Sequence, residues 1–142
     1  YGRGPHENYP DRKFSARVGR YTSRVRDQYV PYLFPQENGG KTDVRWMSLR
    51  DEAGWGLRVQ GCPTLHFSAL PYSVEQLFQA DYPHQLPDPA GAVFLNLDAR
   101  HMGLGGDTGW NPNVHSEFQI PAGRYSFQMV WTALRPNQGE ES

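Results

Sequence analysis

Ala92-Val93-Phe94-Leu95-Asn96-Leu97-Asp98 runs into His101-Met102-Gly103-Leu104-Gly105-Gly106-Asp107-Thr108-Gly109-Trp110-Asn111-Pro112. The first segment puts Val93, Leu95 and Leu97 on one face, the period of a half-buried strand. The second carries four glycines, then a tryptophan and a proline, and reads as a long loop with left-handed backbone available to it. Glu117-Phe118-Gln119-Ile120 follows as a second strand-like run. A strand, a glycine-shaped loop and another strand point to antiparallel sheet. Trp110 then has two local readings. It plugs the end of a sandwich core, or it offers a flat face on which a ligand such as a sugar can stack. The local residues alone favour the plug, because large aromatics are mostly buried.

The same grammar extends outward. Tyr125, Phe127, Met129 and Trp131 alternate with Ser126, Gln128 and Thr132, a clean period-2 strand. Upstream, Thr42–Trp46 alternates, after which Met47 and Leu49 fall on the opposite phase, which predicts a bulge near Trp46. Trp55, Leu57 and Val59 form the return strand; Gly61-Cys62-Pro63 breaks it; Leu65, Phe67 and Ala69 form another. From Phe14, the residues Val18, Tyr21, Val25, Tyr29 and Val30 look strand-like until Pro31 and Pro35, and Asn38-Gly39-Gly40 reads as a hairpin turn. The one helix signal is Ser73 with Gln76 three residues on, a capping box, with Val74, Leu77 and Phe78 at helical spacing and Pro83 as a stop. About eight short strands and one short helix predict an all-β fold, an antiparallel β-sandwich, spanning residues 1–142 as a single domain.

Composition narrows the function. The chain has 142 residues, 13% aromatics, fifteen glycines and twelve prolines, a turn-rich profile that favours short strands. A net charge of −1 gives no basic footprint for nucleic acid and no polybasic membrane patch. The single cysteine, Cys62, provides no internal disulfide framework. The opening Tyr1-Gly2-Arg3-Gly4-Pro5 reads as the middle of a longer chain. Gly40-Lys41-Thr42 resembles the end of a phosphate-binding loop, but Pro35 occupies the position of its first glycine. Gly103, Gly105 and Gly106 miss the dinucleotide fingerprint. His6, His66, His84, His101 and His115 lack metal-ligand spacing, so no metal site is expected in this chain. His101 and His115 flank the glycine loop and are candidates to face a ligand. Glycoside hydrolysis needs two carboxylates at a defined separation. Glu7, Glu37, Asp43, Asp98, Asp107 and Glu117 qualify by type, and nothing in their spacing selects a pair. Asp107 is expected to organise the loop by accepting backbone amides. No catalytic residue is assigned.

Four segments together carry a resemblance. Gly4-Pro5-His6-Glu7-Asn8-Tyr9-Pro10-Asp11-Arg12, the run from Tyr29-Val30-Pro31-Tyr32 to Pro35-Gln36-Glu37-Asn38-Gly39, the loop His101–Asp107 with Trp110 and Pro112, and Phe118 to Trp131 are similar, in order, to segments of the lacZ-type β-galactosidases of glycoside hydrolase family 2. The part resembled is the C-terminal part of their last domain, which also occurs as a separate small chain. Residues 50–64 match poorly, and Thr108 and Gly109 stand where the family carries Asp or Ser. The resemblance implies a sandwich of the galactose-mutarotase-like type. It also implies that this piece completes the active site for retaining hydrolysis of terminal β-D-galactosides such as lactose. Trp110 would stack on the sugar, with His101 and Asp107 as weaker substrate-binding candidates. The catalytic carboxylates, and the magnesium and sodium sites, are implied in other domains, so the isolated chain would be inactive and need no cofactor. Its partners would be the remaining domains or a large subunit and a galactoside, with no nucleic acid and no membrane, in an oligomeric enzyme of the cytoplasm. The alternative is a non-catalytic carbohydrate-binding or subunit-assembly module. A sugar epimerase of the same fold would instead need His66, His101 or His115 to meet a carboxylate in one cleft.

Overall fold

The computed structural model describes residues 1–89, 91–107, 111 and 113–137. Thr108, Gly109, Trp110 and Pro112, the far half of the glycine loop, lie outside the described residues. The architecture is all-β and antiparallel with one short helix, as an all-β sandwich requires. Strands β1 (Gly2–Gly4) and β2 (Arg17–Gly19) form a two-stranded ribbon. Strands β3 (Lys41–Arg50), β4 (Gly56–Leu70), β5 (Phe94–Asp98) and β6 (Gln128–Leu134) form the main sheet. β4 is its spine. β3 lines one edge of it; on the other edge β6 pairs with Gly56–Cys62 and β5 with His66–Leu70.

The expected break at Gly61-Cys62-Pro63 is not a chain break. β4 passes through it, with Cys62-Pro63 in the cis form. Pro63 sits where β6 has ended and β5 has not begun, so its missing N–H costs no ladder bond. On the other edge the register moves from Val44↔Leu65 to Trp46↔Gln60, so residues 61–64 of β4 stand opposite Arg45 alone and form a bulge. Only glycine fits at position 61, because a Cβ there would lie 2.4 Å from the Thr64 carbonyl carbon. Tyr1 docks on β3 at the same place: its nitrogen donates to the Trp46 carbonyl (2.8 Å), and its carbonyl accepts the Arg45 N–H (2.8 Å). The bulge switches the phase of β3. Val44 before it and Met47 after it therefore both reach the core, joined by Val59 and Leu65 and flanked by Leu49, Leu57, Phe67, Leu95, Leu97, Phe127 and Met129.

Three expectations are corrected. Between Phe14 and Gly40 only Arg17–Gly19 pairs as a strand, and Val25–Gln28 is a 3-10 turn. Phe14 is fully exposed and Val18 and Tyr21 are half-exposed, so the apolar spacing there does not mark a buried face. The Asn38-Gly39-Gly40 turn joins no hairpin, although Gly39 does take a positive φ of 71°. Residues Ser116–Phe118 form a 3-10 turn in place of a strand. The helix, α1 (Val74–Gln79), forms as expected with both bonds of the Ser73–Gln76 capping box, but it buries Leu77 and leaves Phe78 exposed.

Candidate functional site

β5 ends at Asp98, which pairs in register with His66 of β4. The chain then turns through Ala99 and Arg100 to His101 and enters the glycine loop. His66 is buried, and the His101 ring lies over it, 4.4 Å between centroids. Tyr9 closes the cluster at 5.3 Å from His101 and 5.8 Å from His66. Burial, then the proximity of His101 and Lys41, pushes the His66 imidazole down to about 3, so it is neutral. Its Nδ1 is buried without a hydrogen-bond partner among the described residues. Lys41, also buried, donates to the Gly39 carbonyl (3.0 Å), and burial lowers it to about 8.

Beside this cluster lies a polar cleft of about 210 Å³ whose lining includes Thr42, His66, Arg100, His101, Glu117 and Phe118. His101, one of the candidate residues, stands on its wall, and its Nδ1 faces the Met102 carbonyl at 2.6 Å.

The loop is held at its base by a segment far away in sequence. Tyr9 and Arg12 exchange backbone hydrogen bonds (3.3 and 2.8 Å), closing a tight turn that presents Asp11. The Asp11 carboxylate accepts the backbone N–H of Leu104 (3.0 Å) and of Gly105 (2.8 Å). These bonds and the neighbouring Arg12 guanidinium hold its carboxyl below the usual carboxylate range against the opposing effect of burial. Arg12 donates to the Gly105 carbonyl and pairs with Asp107 at 3.5 Å. Asp107 in turn meets His115 Nε2 at 2.5 Å, and the ion pair raises the imidazole and lowers the carboxyl. The Gly103 N–H donates to the Phe118 carbonyl (2.9 Å). A Cβ at Gly103 would come within 2.7 Å of Asp11 Oδ2 and 2.8 Å of Phe118 Cβ, so this approach requires glycine.

Among the described residues the loop amides of Leu104 and Gly105 are accepted by Asp11, a carboxylate distant in sequence, while Asp107 is exposed and joins Arg12 to His115. The His115–Asp107 pair lies on the loop's exposed flank, outside the cleft that His66 and His101 line. Trp110, the principal candidate, falls outside the described residues.

Of the remaining carboxylates, Glu117 and Asp43 line the cleft with His66 and His101, and Glu7 is committed to structure. Glu7 accepts from the Tyr9 hydroxyl (3.0 Å), the Gly39 N–H (2.9 Å) and the Tyr32 hydroxyl. Both phenols rise as a result: Tyr9 chiefly through burial, and Tyr32, to about 12, chiefly through its bond to Glu7. Asp43, at a φ of 53°, binds Arg3 (2.7 Å) and Lys13 (2.9 Å). Burial raises Asp98. Among the described residues, no three His, Cys, Asp or Glu side chains converge as a metal site, and no helix is long and apolar enough to cross a membrane.

Comparison with known proteins places this arrangement. Residues 1–131 match the family described as "Beta galactosidase small chain". A β-galactosidase of Priestia megaterium is 42% identical over 136 residues, covering 96% of this chain and 13% of that protein. A β-galactosidase of Vibrio cholerae is 44% identical over 130 residues (92% and 12%), and β-galactosidase 2 of Enterobacter cloacae is 42% identical over 130 residues (92% and 12%). The chain thus spans about an eighth of the length of the curated relatives it matches. With a family match across nearly its whole length and relatives above 40% identity, the chain belongs to the β-galactosidase small-chain family.

Proposed function

We propose that residues 1–142 form one domain, the C-terminal domain or small chain of a β-galactosidase, and that it completes the active site for retaining hydrolysis of terminal β-D-galactosides such as lactose. The observation that carries the reading is the glycine loop, pinned at its base beside a polar cleft, in a chain whose relatives are β-galactosidases. In this reading Trp110 stacks on the sugar and contributes positioning, while the nucleophile, the acid/base carboxylate and the magnesium and sodium sites belong to other domains. His101, on the cleft wall, is a secondary sugar contact; Asp107 acts through loop order.

A role in assembly accompanies this one. Phe14 is 100% exposed, Phe78 86% and Leu33 84%, and side chains of this size left open to water are suited to contact with the rest of a larger enzyme. The partner is accordingly the remaining domains or a large subunit, in an oligomer of the cytoplasm.

The test is Trp110→Ala in the full-length enzyme. An aromatic stacking contribution of about 1 kcal/mol corresponds to a rise in KM for lactose of roughly fivefold, with kcat changed less. Unchanged kinetics on several β-galactosides would remove the stacking role.

A further inference from the structure

We infer that Asp11 and Arg12 are positioning residues for galactoside binding, acting through the loop segment Leu104–Asp107 that leads to Trp110. The inference rests on the stacking role proposed above for Trp110 and deepens it.

Neither side chain belongs to the core. Asp11 is partly exposed and Arg12 exposed, and their side-chain partners among the described residues are Leu104, Gly105 and Asp107. Two ordered charges spent on a surface loop are poorly accounted for by stability alone, since exposed ion pairs contribute little. They do fix geometry. A carboxylate accepting two successive amides defines the direction of that peptide segment, and these charge-assisted bonds are stronger than neutral ones. Arg12 holds the other polarity of the same segment, gripping the Gly105 carbonyl and Asp107, while His115 takes the second oxygen of Asp107. The alternation of Asp11, Arg12, Asp107 and His115 clamps the loop from both flanks. Gly105 and Gly106 inside the clamp have φ values of 67° and 78°, a backbone with a wide choice of alternative conformations when nothing holds it. Misplacing a stacking group by about 1 Å is enough to weaken its contribution.

The experiment is a double-mutant cycle in the full-length enzyme, with steady-state kinetics on o-nitrophenyl β-D-galactoside and hydrogen–deuterium exchange of the peptide covering residues 101–107. Asp11→Ala should raise KM roughly fivefold, the same extent as Trp110→Ala, with a smaller change in kcat. The double variant should be no worse than Trp110→Ala alone, because both substitutions remove one contribution. Asp11→Asn, which keeps one acceptor oxygen, should fall between wild type and Asp11→Ala. Early deuterium uptake by the loop peptide should increase in Asp11→Ala. Wild-type KM in Asp11→Ala alongside a raised KM in Trp110→Ala would overturn the inference, as would effects that multiply in the double variant or unchanged exchange. Should Trp110→Ala itself leave KM unchanged, the stacking role fails, and the exchange of the loop peptide decides separately whether Asp11 orders it.

Discussion

Asn8 offers a stringent test of how the N-terminal segment is joined to the sheet. Its side chain is completely buried and accepts the buried Thr42 N–H (2.9 Å); its amide donates to the carbonyls of Arg3 (3.3 Å) and His6 (3.1 Å). Asn8→Ala removes this acceptor from the buried Thr42 N–H next to the start of β3. A buried donor without a partner costs about 1–3 kcal/mol, and two weakened carbonyl contacts and a small cavity add to it. The expected loss is about 3 kcal/mol. For 142 residues the unfolding entropy is about 0.3 kcal/mol per degree, so Tm should fall by roughly 10 °C. Thermal unfolding followed by circular dichroism measures it. Asn8→Asp separates the hydrogen bonds from the shape. It keeps the acceptor for Thr42 but turns an oxygen toward two carbonyls, so its folded-state pKa is raised. The variant should therefore be weakest at neutral pH and recover as pH falls and the carboxyl protonates. A Tm loss below about 3 °C for Asn8→Ala would refute the reasoning.

Further outcomes follow from the charged groups. His115 is raised by Asp107, so the pair stabilises the loop fully below the imidazole's unfolded value, and that contribution disappears as pH rises through the higher folded value. An NMR titration should place His115 above 6.5, and Asp107→Asn should bring it down; no response to Asp107→Asn would contradict the pairing. Lys41 is lowered to about 8 by burial. The unfolded chain therefore binds the proton more tightly, and stability should rise with pH from about 8 toward 10.5. Lys41→Met should flatten that rise in urea-unfolding midpoints and be at least as stable at pH 7; an unchanged slope would show that Lys41 is not the source.

What the sequence revealed divides along physical lines. β5, β6 and the α1 capping box were legible because each is a local pattern: alternation, or two side chains three residues apart. The bulge near Trp46 was legible because Val44, Met47 and Leu49 can share one face only if the phase slips. The continuity of β4 was not, because a proline is tolerated there only through the placement of β5 and β6 along its other edge, a tertiary fact. Residues 14–30 misled because Phe14, Val18 and Tyr21 mimic a strand face while remaining open to water. His101 stands on the cleft wall, and only its position at the foot of the glycine loop was legible. Asp11 and Arg12 were not, since they meet Leu104, Gly105 and Asp107 across more than ninety residues of sequence. For the Leu104 and Gly105 amides the fold supplies a carboxylate that no local pattern marks.

Complementation decides whether this chain finishes a galactosidase site whose reacting carboxylates lie elsewhere, as proposed above. The purified chain is combined with the separately expressed remainder of its enzyme and assayed on a chromogenic β-galactoside. Activity is expected in the mixture and in neither part alone. Full activity of the remainder without this chain, or hydrolysis by this chain alone, would contradict it.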